Sequence, residues 1–256
     1  MALEEIAVLH TEKVKKYYDG LKAVDDVTLE AKPKQITLLI GPNGSGKTTF
    51  INVVSGYCKP DSGKVYFNGD DITGWSMHKV YEKGLVRTFQ IPRLFQGLTV
   101  LENLLVARRK NPGESLIEVF VKNRWVKSEE KAVEKALNVM KVLDLEEFWD
   151  SQITALPAGH LKLVEIGRAL MSDAKMIILD EPIGGVNPAL ADKIFTYIQK
   201  LKKIYGLTFL IIEHRLDIAL KYADYIYVMH QGRIISQGKM EKVVEDPLVK
   251  EVYIGG

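Results

Sequence analysis

Apolar and polar positions follow two different rhythms along this chain, and the change from one to the other marks its organisation. Residues 6–31 alternate apolar and polar on either side of Tyr18-Asp19-Gly20, the pattern of an antiparallel hairpin. Gln35–Ile40 is a short continuous apolar run, as expected of a strand buried on both faces. Gly63–Gly69 ends in Asn68-Gly69, a hairpin turn signal, and predicts a further strand pair. From about residue 97 to 150 the strand signals fade. Leu98–Leu105 and Lys131–Lys141 carry helical spacing there, with a break at Asn111-Pro112-Gly113. Beyond 160 the pattern predicts a helix at His160–Met171, a strand at Met176–Asp180, a helix at Pro188–Ile204, a strand at Leu207–Glu213 and a last hairpin over Tyr225–Ser236. Such alternation implies a parallel sheet with crossover helices. The fold class read from the pattern is α/β: a core with a mostly parallel sheet, an antiparallel β subdomain and an inserted α-helical subdomain. Residues 1–90 and 161–256 form the core with its antiparallel part, and 91–160 the helical insertion.

Composition narrows the function classes. At 256 residues, 46% hydrophobic and 27% charged, the chain has ample material for a buried core. The net charge of +2 is too balanced to argue for a nucleic-acid partner. No uncharged apolar stretch reaches the roughly 18 residues a membrane span needs. Met1-Ala2-Leu3-Glu4-Glu5-Ile6 has acids where a signal peptide needs basic residues. Cys58 is the only cysteine, suits a reducing compartment and reads as a packed residue rather than a nucleophile. The five histidines are scattered without metal-ligand spacing.

The chemistry begins at Gly41-Pro42-Asn43-Gly44-Ser45-Gly46-Lys47-Thr48, a complete phosphate-binding loop between a strand and the helical segment Lys47–Val54. Glycines at 41, 44 and 46 let successive N–H groups turn inward on a phosphate, and the helix N-terminus adds unpaired donors. Lys47 can reach β- and γ-phosphates, Thr48 offers a hydroxyl to Mg²⁺, and Asn43, Ser45 and Thr49 complete the cradle. The second signal is Met176–Asp180, four apolar residues ending in Asp180-Glu181. An acid at the C-terminal end of a buried strand sits where α/β folds bind ligands. Asp180 is positioned to hold Mg²⁺ and Glu181 to polarise an attacking water. The chain therefore binds a nucleoside triphosphate, with any metal arriving alongside it.

Together these residues resemble the ATP-binding-cassette (ABC) ATPases, and further motifs extend the resemblance over nearly the whole chain. Gln90, in Arg87-Thr88-Phe89-Gln90, matches the family's Q-loop glutamine, which senses Mg²⁺ and links the core to the helical subdomain. His214 matches the switch histidine that contacts the γ-phosphate. Tyr18 matches the aromatic that stacks on adenine, although Tyr17 alternates to the other face and competes for that role. Gly184-Gly185-Val186-Asn187 matches the segment that crosses to a second subunit, with Asn where Asp is usual. Arg87–Phe95, Asp180–Pro188, Ile211–Asp217, the helical insertion after Val106 and the tail Val252–Gly256 are similar to the ATPase subunits of branched-chain amino-acid importers. That likeness implies ATP and Mg²⁺ as ligands, and membrane permease subunits and a different ABC ATPase as partners. It also implies a solute-binding protein acting indirectly, and a peripheral place on the cytoplasmic side of the plasma membrane. Exposed apolar residues around Phe89–Phe95 are candidates for the permease groove, or else for subdomain core.

One motif departs from the family. The ABC signature reads Leu-Ser-Gly-Gly-Gln, and here the stretch is Leu156-Pro157-Ala158-Gly159-His160. Pro157 lacks a hydroxyl and a backbone N–H, and Ala158 adds a methyl group. Gly159 remains, and a protonated His160 would bring charge. The resemblance thus predicts an intact nucleotide half-site here and a weakened contribution to the partner's, which favours a heterodimer. Alternative readings are an ATP-binding regulatory cassette with little turnover, or a non-transport ABC ATPase. Non-transport members carry tandem cassettes or long coiled coils, and this chain has neither.

Overall fold

The alternation of side chains within the short central strands decides how the layers stack. In the computed structural model, which describes residues 7–109 and 122–254, these strands form a six-stranded sheet. Its members are β3 (Ile36–Ile40), β6 (Leu85–Arg87), β7 (Met176–Asp180), β8 (Thr208–Ile212), β9 (Tyr225–His230) and β10 (Arg233–Gly238). The order is β10-β9-β3-β8-β7-β6, parallel throughout except for β10, which pairs antiparallel with β9. On one face Ile36, Leu38, Ile40, Ile177, Leu179, Phe209 and Ile211 enter a single apolar cluster. On the other, Leu39, Ile178, Leu210 and Ile212 enter a second cluster. A strand period of two, buried on both sides, explains why these segments read as unbroken apolar runs.

The second cluster is closed by helix α1 (Lys47–Val54) and by a four-stranded antiparallel sheet of β1 (Leu9–Tyr18), β2 (Leu21–Ala31), β4 (Ser62–Phe67) and β5 (Asp70–Asp71), ordered β2-β1-β4-β5. The hairpins expected at Asp19-Gly20 and Asn68-Gly69 both form. The first cluster is closed by α3 (Val100–Val106), α4 (Lys122–Val142), α5 (Ala158–Met171) and α6 (Pro188–Tyr205). Sequence chemistry sets their ends. Thr99 and Glu102 form a reciprocal capping box at α3. Asn187 caps α6 by accepting from the Leu190 N–H at 2.9 Å, with Pro188 in the first turn and Gly206 in a left-handed conformation past the end.

Two elements between the antiparallel sheet and the helices escaped the pattern, α2 (Met77–Lys83) and β6. β6 has three residues and α2 buries one, Val80, so neither offers enough positions to establish a period. Strand β8 also stops at Ile212, leaving Glu213 and His214 in the following turn. The short helices α7 (Leu216–Ala219), α8 (Met240–Glu245) and α9 (Pro247–Ile254) complete the fold. The break expected at Asn111-Pro112-Gly113 lies outside the described residues.

Asp25 ties the two sheets together. Its carboxylate accepts from the Tyr17 hydroxyl at 2.7 Å and from Arg233 of β10 at 2.6 Å, and its side chain is 5% exposed. The Tyr17 hydrogen bond, then the Arg233 guanidinium, hold its pKa down at about 2. A depressed folded-state pKa means that this support is complete above the usual carboxylate range. It is lost as pH falls from about 4 to about 2. Thermal melts across that window should lose stability in the wild type, and Asp25→Asn should flatten this part of the acid dependence.

Candidate nucleotide site

The residues singled out for phosphate chemistry follow the C-terminal ends of the parallel strands β3, β6, β7 and β8. The loop leaves β3 at Gly41 and enters α1 at Lys47. Two backbone approaches require glycine. Gly41 has φ +154, and a Cβ there would lie 2.0 Å from the Met229 carbonyl oxygen of β9. Gly46 has φ +103, and its Cβ would lie 2.0 Å from the Ala23 carbonyl oxygen of β2. The loop is thus clamped between both sheets.

Lys47 is 5% exposed and folds back over the loop. Its ammonium donates to the carbonyls of Gly41 at 2.8 Å and Pro42 at 2.9 Å, and to Ser45 Oγ at 3.3 Å. Burial pulls its pKa down, against the pull of Glu181 and Asp180. Desolvation also strengthens its attraction for any anion placed above it. Tyr18, Asn43, Gly44, Thr48 and Thr49 line a cavity of about 610 Å³ over this cation. Tyr18 is 45% exposed in that wall, whereas the Tyr17 hydroxyl is engaged by Asp25. Cys58 is half-buried, 3.8 Å from the Tyr18 hydroxyl.

A second hollow of about 460 Å³ adjoins the first, sharing Asn43, Glu181 and His214 with it and adding Gln90 and Tyr253. Here Glu181 gathers the other motifs. Its carboxylate accepts from Gln90 Nε2 at 2.7 Å through one oxygen and is hydrogen-bonded to His214 Nε2 through the other. Its own backbone is left-handed, φ +50, an unusual state for a residue with a side chain, and its N–H bonds to the Ile212 carbonyl at 2.9 Å. Asp180 lies behind this wall, 6% exposed, paired with Arg87. The structure therefore brings the loop, Glu181, Gln90 and His214 together, with Tyr18 lining the same cavity and Asp180 buried next to Glu181 in sequence.

A model of the ABC transporter family matches residues 24–184 of the sequence. The chain belongs to the ABC transporter family. ATP hydrolysis is the family's reaction. The chain is 50% identical over 248 residues to a probable branched-chain amino acid transport ATP-binding protein, LivG, of Archaeoglobus fulgidus, covering 97% of this chain and 95% of the relative. It is 48% identical over 256 residues to the corresponding protein of Methanocaldococcus jannaschii, covering 98% and 99% of the two chains. The Escherichia coli high-affinity branched-chain amino acid transport protein LivG is 34% identical over 239 residues, covering 93% and 94%. Among solved structures, the ADP conformation of an ATP-binding cassette of an ABC transporter superposes with a TM-score of 0.85 at 47% identity, over 98% of this chain and all of that one. A nucleotide-free cassette gives 0.84 at 47% identity.

Three buried ionisable residues of this ABC cassette escaped sequence reasoning. Lys162 of α5 donates to the backbone carbonyls of Gln90 and Glu181, the latter at 3.4 Å. Glu165, one turn on, accepts from the Phe89 N–H at 3.1 Å, and burial raises its pKa. Glu213 accepts from the N–H groups of Ile183 at 2.9 Å and His214 at 3.1 Å, and burial raises it too. A signal existed for the first two: Lys162 and Glu165 occupy buried positions of a helix that is otherwise apolar on that side.

The signature stretch opens α5. Pro157 and Ala158 are exposed, with Pro157 at the N-cap and Ala158 the first helical residue. Gly159 is covered, since a Cβ there would lie 1.9 Å from Leu190 Cδ2. The His160 ring packs on Phe148 at 4.7 Å between centroids, and its buried Nδ1 has no partner among the described residues. His160 is thus turned onto the chain's own fold. Around Phe89–Phe95 the side chains divide between an open groove and the core. Phe89, Arg93 and Phe95 line a groove of about 600 Å³, and Ile91 is 78% exposed, while Leu94 packs on the apolar cluster.

Gly46→Ala tests the clamp. Backbone strain of about 1–3 kcal/mol should weaken ATP binding by about five- to a hundredfold in a fluorescent-nucleotide titration. An affinity equal to wild type would show that the Ala23 contact does not shape the loop.

Proposed function

We propose that the chain is the ATP-hydrolysing subunit of an importer of branched-chain amino acids. It would work from the cytoplasmic side on membrane permease subunits, fed by a solute-binding protein. The observation that carries this reading is the convergence of Gln90 and His214 on Glu181 beside an intact phosphate loop, in a chain whose relatives bear branched-chain amino acid transport names. Tyr18 stacks on adenine. Gly41, Asn43, Gly44, Ser45, Gly46, Lys47, Thr48 and Thr49 hold the phosphates. Thr48, Gln90 and Asp180 are hard oxygen ligands of the kind Mg²⁺ prefers, and Gln90 binds Glu181 through nitrogen, which leaves its amide oxygen for a cation. Mg²⁺, when bound, neutralises charge on the β- and γ-phosphate oxygens. Glu181 accepts a proton from the attacking water, and His214 orients Glu181 and meets the γ-phosphate.

The helical subdomain expected at 91–160 moves against the rest of the chain, carrying with it α5, which runs on unbroken from Ala158 to Met171, and Gln90 lies at the joint. The groove of Phe89, Arg93 and Phe95 lies beside that joint and receives the permease. The second cassette is a different protein. Pro157 and Ala158 stand where a hydroxyl and close backbone approach would grip a partner's γ-phosphate. Losing a charge-assisted donor costs about 1.5–3 kcal/mol, or about ten- to a hundredfold in rate. A homodimer would be impaired at both sites, and a heterodimer only at the partner's.

The degenerate signature also favours a second reading, a regulatory cassette with little turnover, and Glu181→Gln separates the two. The enzyme reading expects ATP to be retained and turnover in the assembled transporter to fall by about a hundredfold or more. The regulatory reading expects no change. Turnover of the isolated chain should be low. Pro157→Ser with Ala158→Gly should raise it, and no gain in any assembly would remove the argument for a heterodimer. Leucine uptake by the reconstituted complex tests the solute.

A further inference from the structure

Arg87 ends β6, and its guanidinium lies between the loop helix and the end of β7. The side chain is 10% exposed, and that of Asp180 is 7% exposed. One terminal nitrogen donates to Asp180 Oδ2 at 3.0 Å. The other donates to Asn52 Oδ1 at 2.6 Å and to Ser55 Oγ at 3.3 Å. Asn52 belongs to α1 and Ser55 follows it directly, so a single planar cation fastens the helix that carries Thr48 to the strand end that carries Asp180. The fixed fork of arginine suits such a three-way arrangement in a way that a point charge does not. The arrangement has a cost, because the buried Arg87 Nε has no hydrogen-bond partner among the described residues. Among those residues, the side-chain hydrogen bonding of Asp180 involves Oδ2 alone.

We propose that Arg87 is a positioning residue for divalent cation binding. It occupies one oxygen of Asp180, presents the other, and keeps Thr48 and Asp180 in register across the site. This rests on the reading of Asp180 as a cation ligand. Groups that hold metal ligands from behind typically change metal affinity about ten- to a hundredfold when removed. Simple electrostatics predicts the opposite sign, since removing a cation this close to Asp180 would tighten Mg²⁺ binding. The direction of the change is therefore decisive.

The experiment titrates MgCl₂ into the purified full chain with a fluorescent ATP analogue, and repeats nucleotide binding in EDTA. For Arg87→Gln the Mg²⁺ concentration giving half-maximal enhancement should rise about ten- to a hundredfold, with the EDTA affinity within about twofold of wild type. Arg87→Lys should fall between the two, because it keeps the charge and loses the fork. Asn52→Ala, which leaves the ion pair and removes one anchor, should move Mg²⁺ half-saturation the same way by a smaller factor. Should Arg87→Gln fail to fold, these two variants carry the test. A folded Arg87→Gln, or a folded Arg87→Lys with Asn52→Ala, whose Mg²⁺ half-saturation is unchanged or lower than wild type overturns the proposal. Asp180→Asn is the control for the underlying reading and should abolish the Mg²⁺ response. A wild-type response there would show that Asp180 is not a cation ligand, whatever Arg87 does.

Discussion

The Lys47 ammonium is the charge around which the site is arranged. It is held against the loop by the carbonyls of Gly41 and Pro42 and by Ser45, almost out of contact with water. A cation in that position needs negative charge nearby, and Glu181 and Asp180 supply part of it. Much of the architecture serves to keep this geometry. Gly41 and Gly46 allow β9 and β2 to press on the loop from two sides, and the two apolar clusters fix the strand ends from which the carboxylates project.

A second layer of buried charges supports the first. Lys162 holds the backbone at Gln90 and Glu181, Glu213 holds the turn that presents His214, and Arg87 joins α1 to Asp180. Desolvation opposes the charge on Lys162, Glu165 and Glu213, so each is retained against a penalty. Their shared property is that they reach backbone atoms or carboxylates of the motif residues. Such groups resist relaxation, which is what a site that stabilises developing charge requires.

How much of this was legible in the sequence depended on how each feature is encoded. β7 was readable to the residue, since four consecutive apolar side chains followed by two acids leave little choice of register. The hairpin turn at Asn68-Gly69 was readable because few residues tolerate positive φ. β6 was not, because three residues establish no period and its partner β7 lies about ninety residues away in sequence, too far for local pattern to reveal. The loop, Glu181, Gln90 and His214 were legible as motifs. Their meeting on one carboxylate was not, since Gln90 and Glu181 come from separate parts of the chain. Lys162 and Glu165 left a trace as charges in an apolar helical phase. His160 left none, because only the packing of Phe148 determines where its ring turns.

The intact loop and the altered signature give this cassette two unequal faces. One presents the loop together with Glu181, Gln90 and His214, and the other presents Pro157 and Ala158 at the exposed start of α5. The most direct test is ATP turnover by a two-cassette assembly in which the phosphate-loop lysine is removed from one cassette at a time. Lys47→Ala in this chain should abolish most of the turnover, and the equivalent change in the other cassette should leave most of it. Turnover that survives Lys47→Ala and disappears with the partner's change would contradict the account.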